Sequence, residues 1–145
     1  MKFVVENEKS LGDKVWQEIE KNLSGGLVIG LKGDLGAGKT TLVRQLALKL
    51  GIPDKVVSPT FNIRKNYDLP KEKEGITCLQ HIDLYRISQP NHLDKSEVKE
   101  WLAETNCLTF IEWIDRMPQI KERLDCIINI KPDSKTKREV EIEWL

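Results

Sequence analysis

Residues 33–40 read GDLGAGKT and match the pattern G-x-x-x-x-G-K-T, which is typical of a loop that binds nucleotide phosphates. The glycines of such a loop let successive backbone N–H groups turn toward phosphate oxygens. Its lysine, here Lys39, reaches the β and γ phosphates, and the hydroxyl of Thr40 binds magnesium. We therefore predict a site for ATP and Mg²⁺. The residues predicted to bind the nucleotide are Gly33, Leu35, Gly36, Ala37, Gly38, Lys39, Thr40 and Thr41.

The elements on either side of this segment distinguish a phosphate-binding loop from an ordinary glycine-rich turn. Residues 27–31 form a continuous apolar run, as expected for a parallel strand that is buried on both faces. After the loop, Leu42, Leu46 and Leu50 recur at four-residue spacing, and Gly51 ends the helix that they predict. Because the motif binds nucleotide when a strand precedes it and a helix follows it, phosphate binding is the stronger interpretation.

A nucleotide-hydrolysing loop also needs a carboxylate near the magnesium ion. Asp83 and Glu112 each end an apolar strand candidate, so either side chain could approach the metal or its water ligands. Thr60 follows a proline, on a loop where a sensor of the γ-phosphate could lie. An ordinary turn explains Thr60 equally well. The three residues complete a predicted catalytic set with Lys39.

Strand and helix patterns alternate along the rest of the chain, which predicts an α/β fold. We expect one P-loop NTPase domain over residues 1–145, with a central, mostly parallel sheet flanked by helices. The other predicted elements are a strand at 2–5, a helix from Ser10, a strand at 61–67, a charged turn at 68–75, a strand at 76–83 and a helix from Asp94. Residues 126–130 and 138–144 predict an antiparallel hairpin at the edge of the sheet.

Composition restricts the class of protein. The 145 residues are 39% hydrophobic and 32% charged, and no apolar run approaches the roughly 20 residues that span a bilayer. With no signal-peptide pattern at the N-terminus, we expect a cytoplasmic protein without membrane contact. Positive and negative residues number 23 each, so no overall positive field attracts nucleic acid. Cys78, Cys107 and Cys126 lack CxxC spacing, and the C-x-x-H spacing of Cys78 and His81 has too few further ligands for a zinc site, so the cysteines are expected to be small buried thiols in a reducing compartment.

Four motifs in one order resemble the TsaE family, also known as YjeE. They are GDLGAGKTTLVR at 33–44, SPTF at 58–61, DLYR at 83–86 and IEW at 111–113. The resemblance implies a bacterial ATPase that is required for the threonylcarbamoyladenosine modification next to the anticodon of tRNA. It also implies two partner proteins, TsaD, which is the transferase, and TsaB. Contact with tRNA would then be indirect, through that complex, which suits a chain with no net charge.

The same resemblance implies a role for each predicted catalytic residue. Lys39 becomes the phosphate lysine, and Thr40 and Glu112 become the magnesium ligands. Asp83 becomes a second acidic group that hydrolysis needs, and Thr60 a switch-like threonine. The adenine contacts are expected from the N-terminal segment, without assignment to particular residues.

Trp113 matches a family tryptophan whose place beside Glu112 suggests coupling between the nucleotide state and partner contact. Family members usually continue this glutamate–tryptophan pair with proline. Here Ile114 and Asp115 follow instead, so we expect the local turn to differ.

Two other functions remain open from the residues. A small-molecule or nucleotide kinase would share the loop but usually carries an arginine-rich lid, whereas the six arginines of this chain are scattered. A nucleotide-sensing module would bind ATP without hydrolysis, which the carboxylates Asp83 and Glu112 argue against. The sequence indicates neither the oligomeric state nor the surface that meets a partner.

Overall fold

Seven strands form one sheet in the computed structural model, which describes residues 1–34, 36–53, 56–57, 59, 63–85, 95–103 and 106–145. The strands are β1 Lys2–Val5, β2 Leu27–Lys32, β3 Arg64–Lys73, β4 Ile76–Asp83, β5 Cys107–Glu112, β6 Cys126–Pro132 and β7 Arg138–Trp144. The α-helices are α1 Glu8–Ile19, α2 Lys39–Lys49 and α3 Lys95–Leu102. Short 3₁₀ helices span Glu20–Asn22, Ile114–Arg116 and Pro118–Arg123. None of the described helices is long and apolar enough to cross a bilayer.

The sheet is mixed, so the prediction of a mostly parallel sheet is wrong. Its order is β1-β7-β6-β2-β5-β4-β3. The central strands β6, β2, β5 and β4 are parallel neighbours, whereas β1, β7 and β3 join in antiparallel pairs. The buried central strands have the continuous apolar runs that favour parallel pairing. The outer strands are partly exposed to solvent. Their alternating pattern of apolar and polar residues does not show how many antiparallel strands join each side of the parallel strands.

The closing hairpin of β6 and β7 forms as predicted but does not lie at the edge of the sheet. β6 is paired with β2 on its other side, and β1 pairs with β7 from Lys2 opposite Glu141 to Val5 opposite Arg138. Because β1 has only four residues, its sequence gives little indication of which strand it pairs with. The N-terminal segment is thereby fixed beside the last strand, near the loop that follows β2.

Residues 68–75 are largely strand, and the predicted charged turn is wrong. β3 continues to Lys73 and returns into β4 through Glu74 and Gly75, whose φ angles are 50° and 83°. Positive φ at both central residues is typical of the tightest hairpin turns. β3 lies at the end of the described sheet, where charged side chains face water and discourage pairing with other chains. The charged residues at the end of β3 therefore resemble a loop in the sequence.

Apolar clusters cover both faces of the sheet. On one face, α1 and α2 pack over Ile29, Leu31 and Phe110, all of which are fully buried. On the other, α3 and the 3₁₀ helices Ile114–Arg116 and Pro118–Arg123 pack over Ile82 and Ile111. The central strands are therefore buried on both sides, and their carboxyl ends meet at one edge of the sheet.

Helix α1 begins one turn earlier than predicted. Asn7 is its N-cap, and its side chain accepts a hydrogen bond from the backbone N–H of Ser10 at 2.8 Å. The hydroxyl of Ser10 in turn accepts from the backbone of Asn7 at 3.2 Å, which completes a capping box. Ser10 is thus the third helical residue, and the cap three positions before it fixes where the helix starts.

Cys78 and Cys107 are joined as a disulfide between β4 and β5, which corrects the expectation of three free thiols. The two residues are direct partners in the strand register, with Cα atoms 4.7 Å apart. A disulfide can span that separation. The sequence alone does not indicate the pairing, because only the strand order brings the two residues together. Cys126 is free and buried, and burial raises the pKa of its thiol to about 12.

Candidate functional site

The predicted phosphate loop lies between the end of β2 and the start of α2. Gly33, Gly36 and Gly38 have φ angles of 151°, 78° and 115°, a region that favours glycine. A side chain at Gly33 would also come within 2.6 Å of the carbonyl oxygen of Ile130 on β6. The backbone course therefore favours glycine at the two positions that the motif specifies, Gly33 and Gly38, and also at Gly36. Leu35 falls outside the described residues.

The first turn of α2 faces this loop and has no acidic residue of its own. Gly38 is the N-cap and provides no side-chain hydrogen bond. The N–H groups at a helix start and the positive end of the helix dipole suit an anion. Lys39, Thr40 and Thr41, the first three residues of the helix, can therefore serve phosphate oxygens.

Lys39 is a buried cation, with only 5% of its surface exposed. Its ammonium donates hydrogen bonds to the carbonyl oxygens of Gly33 and, at 3.1 Å, Asp34. The ammonium also lies 4.2 Å from the ring centroid of Trp113. Burial lowers the pKa of Lys39, and the charge of Glu112 partly opposes that effect. Since a buried ammonium is stabilised by an opposite charge, an anion bound at the loop would satisfy it.

Thr40 and Glu112 meet although 72 positions separate them. The hydroxyl of Thr40 donates a hydrogen bond to Glu112 Oε2 at 3.0 Å. The strand order explains the contact, because β5 lies directly beside β2 and places Glu112 opposite Leu31. Glu112 is 3% exposed, so its carboxylate points into the site and not into bulk water.

The donor set fits magnesium. Hydroxyl and carboxylate oxygens are hard ligands, and Mg–O distances of about 2.0–2.1 Å place neighbouring octahedral ligands about 3 Å apart. The Thr40 and Glu112 oxygens have that separation. Within the described residues, no cluster of three or more His, Cys, Asp or Glu side chains forms a protein cage. Mg²⁺ typically uses one or two protein carboxylates with waters and phosphate oxygens, so two protein ligands such as Thr40 and Glu112 would be enough to hold it.

Asp83 lies beside this pair at the end of β4. It is opposite Glu112 in the strand register and is 9% exposed, and its Oδ1 accepts a hydrogen bond from the backbone N–H of Tyr85 at 2.9 Å. Both predicted carboxylates are thus at the carboxyl ends of parallel strands, where ligands of open α/β sheets bind. Thr60, the fourth predicted catalytic residue, falls outside the described residues.

The turn after Glu112 is unusual in its backbone. Trp113 has a φ angle of 61°, and a 3₁₀ helix follows at Ile114–Arg116. The indole of Trp113 lies over the ammonium of Lys39. Its ring centroid is also 4.9 Å from that of Tyr85. Trp113 therefore borders both the lysine and the solvent-exposed edge of the site.

Sequence reasoning missed two side chains at the site, His81 and Arg138. His81 Nε2 lies 2.5 Å from Glu112 Oε2, and Arg138 Nε donates to the carbonyl oxygen of Ala37 at 3.0 Å. The period-two alternation of a strand places His81 on the same face as Asp83, a signal that could have identified it. No local pattern links Arg138 to the loop, because β7 reaches it only through the strand order.

A cavity of about 350 Å³ opens beside the loop. The start of α1 contributes Asn7 and Leu11 to its lining, the loop contributes Ala37, helix α2 contributes Thr41, and the turn before β7 contributes Thr136. The cavity thus continues from the phosphate loop toward the N-terminal segment.

The chain is similar to known proteins over most of its length. The family model "Threonylcarbamoyl adenosine biosynthesis protein TsaE" matches residues 5–140. The tRNA threonylcarbamoyladenosine biosynthesis protein TsaE of Synechocystis is 40% identical over 110 residues, which cover 74% of this chain and 67% of the relative. Its counterpart from Aquifex aeolicus is 37% identical over 131 residues, covering 89% and 86%. The crystal structure of YdiB from Bacillus subtilis has a TM-score of 0.66 and 29% identity, over 97% of this chain and 82% of that one.

Proposed function

Because the chain belongs to the TsaE family of tRNA threonylcarbamoyladenosine biosynthesis proteins, we propose that it is a magnesium-dependent ATPase serving this modification. One observation supports the proposal above the others. A buried lysine, a hydroxyl and a carboxylate meet at the start of α2, as Lys39, Thr40 and Glu112. These are the groups that a P-loop uses for phosphate and magnesium.

The phosphates of ATP are held by the chain's own polar groups. The N–H groups of the loop and of the first turn of α2 surround the phosphate oxygens, and the helix dipole favours their charge. Lys39 exchanges the carbonyl oxygens of Gly33 and Asp34 for oxygens of the β and γ phosphates. The ammonium therefore remains paired in both states, which keeps a buried charge satisfied.

In the proposed reaction, a water molecule attacks the γ-phosphorus and the bond to the β–γ bridging oxygen breaks. ADP, inorganic phosphate and one proton are released. Thr40 and Glu112 would hold magnesium, which when bound would supply positive charge against the developing negative charge of the phosphates. Asp83, at the adjoining strand end, would orient water in the same site. Hydrolysis therefore depends on positioned charge and needs no covalent intermediate.

We place the adenosine in the cavity beside the loop, whose volume suits a small ligand. Replacing Thr136, an exposed residue of its lining, by tryptophan should weaken ATP binding about 10-fold because the indole occupies the space of the base. Binding of tripolyphosphate, which lacks the base, should be unchanged. Calorimetric titrations of both ligands test this. The control is Lys137→Trp on the same turn, and equal losses for both ligands would contradict the placement.

The finer role of the chain is to support repeated turnover of a complex of TsaD and TsaB. With 23 positive and 23 negative residues, the chain has no excess charge for tRNA, so contact with tRNA is indirect. We expect slow hydrolysis by the isolated protein and a higher rate or affinity when TsaD and TsaB are added. Phosphate release with and without them is the measurement.

Two results would overturn the proposal of a partner-dependent ATPase. Fast hydrolysis that is identical with and without TsaD and TsaB removes the need for partners. Radiolabel from the γ-phosphate appearing on an added metabolite, and not as free phosphate, makes the protein a kinase.

A further inference from the structure

His81 is a fully buried histidine that the proposed reaction leaves without a role. It lies on β4, with Phe110 beside it on β5 and Lys65 opposite it on β3. Its Nε2 atom lies 2.5 Å from Glu112 Oε2, the oxygen that also accepts the hydroxyl hydrogen bond of Thr40. A chain of contacts therefore runs from the first turn of α2 through Glu112 to the interior of the sheet.

The second ring nitrogen determines which tautomer fits this arrangement. His81 Nδ1 is buried and has no hydrogen-bond partner among the described residues. A proton on Nδ1 alone would leave a buried donor unpaired and direct the lone pair of Nε2 at a carboxylate oxygen. A proton on Nε2 instead donates to Glu112, so this tautomer leaves only an acceptor unpaired at Nδ1 and avoids the repulsion between two lone pairs at the 2.5 Å contact.

We propose that His81 is a positioning residue that donates from Nε2 to Glu112 and fixes the direction of its carboxylate toward magnesium. The inference rests on the proposed function, since Glu112 and Thr40 are ligands only if the protein binds Mg²⁺. A carboxylate held by Thr40 alone can turn about its side-chain bonds. One held from two sides is already oriented, and hydrogen-bonded partners of metal ligands set ligand direction in this way.

Two variants at His81 separate positioning from packing. His81→Leu removes the donor and keeps an apolar side chain of similar bulk, whereas His81→Gln retains an N–H that reaches the same direction as Nε2. The Mg²⁺ concentration needed for half-maximal tightening of ATP binding should rise about 10- to 100-fold in His81→Leu. In His81→Gln it should stay within about 3-fold of the unsubstituted protein. ATP binding in the presence of a chelator should be the same in all three proteins.

Gln80→Leu is the matched control. Gln80 is equally buried on the same strand, but it faces the opposite side and donates to Thr109 Oγ1 at 3.0 Å. Its replacement should lower the melting temperature without changing the Mg²⁺ dependence. A double-mutant cycle adds a second check, because His81→Leu should have no further effect in a Glu112→Gln background.

A spectroscopic measurement tests the hydrogen bond without nucleotide or metal. The chain has two histidines, so ¹H–¹⁵N correlation spectra of the rings are simple, and loss of a signal in His81→Gln assigns it. We expect the Nε2–H tautomer in the metal-free protein and a shift of that proton in Glu112→Gln. The Nδ1–H tautomer would overturn the proposal.

The outcomes distinguish this inference from the proposed function. An unchanged Mg²⁺ dependence in a folded His81→Leu protein, or the same defect in His81→Gln, would show that His81 only packs. A protein without substitutions that binds no ATP, or binds it without any effect of Mg²⁺, would overturn the ATPase itself, while the tautomer measurement would still report on the contact with Glu112.

Discussion

Replacing Lys39 by alanine is expected to weaken ATP binding by about 100-fold or more, which corresponds to about 2.7 kcal/mol. The ammonium is buried at the loop and already holds two carbonyl oxygens, so it can form charge-assisted hydrogen bonds with phosphate oxygens. Hydrogen bonds to charged groups contribute about 1.5–3 kcal/mol each, so one or two of them account for the loss. Calorimetric titration with ATP measures it directly.

The control for this experiment lies on the same helix. Lys49 is at the far end of α2 and forms a surface ion pair with Asp13, so Lys49→Ala should leave ATP affinity within about 3-fold. Thermal unfolding in the absence of ligand checks that both variants are folded. If Lys39→Ala binds ATP as tightly as the unsubstituted protein while remaining folded, the loop is not the phosphate site.

The predictions from local pattern agree with the structure where the chemistry is local. The loop and its glycines lie between a buried strand and a helix, as the motif requires, and Gly33, Gly36 and Gly38 all have positive φ. Asp83 and Glu112 end their strands as predicted, because apolar runs mark buried strands and each run is interrupted at a charged residue. Such features depend on a few consecutive residues.

Features that depend on strand order were not predictable in the same way. The contact of Thr40 with Glu112 requires β5 beside β2, and the disulfide of Cys78 with Cys107 requires β4 beside β5 in one register. Nothing in the spacing of these residues encodes which strands are neighbours. The resemblance to a family implied that Thr40 and Glu112 share a metal, whereas it implied nothing about the cysteines or His81.

The errors at the outer strands have a different origin. β3 was expected to end at Tyr67 because the residues after it are charged, yet the strand continues to Lys73. An outer strand exposes one edge and much of its surface, so polar residues cost little there and the apolar signal fades. The bounds of β1 and β7 agree with the prediction, but the sequence does not give their place beyond β6, which determines how Arg138 reaches the loop.

Replacing Glu112 by alanine is expected to reduce magnesium-dependent hydrolysis by about 100-fold, while ATP binding in chelator stays within about 3-fold. The substitution removes one of two protein ligands and leaves Thr40 without its partner. Lys39 and the loop, which hold the phosphates, keep their contacts. Steady-state hydrolysis over a series of Mg²⁺ concentrations, with ATP affinity measured in parallel, separates the two effects.

Two further variants make the assignment of Glu112 decisive. Glu122→Ala is the control, because that glutamate forms a surface ion pair with Lys99 at 3.5 Å, and its loss should leave hydrolysis unchanged. Asp83→Asn examines the neighbouring carboxylate, whose loss should slow hydrolysis with a smaller effect on the Mg²⁺ requirement. If Glu112→Ala hydrolyses ATP normally and Asp83→Asn shifts the Mg²⁺ requirement, Asp83 is the metal ligand, and the contact of Glu112 with Thr40 and His81 serves only the fold.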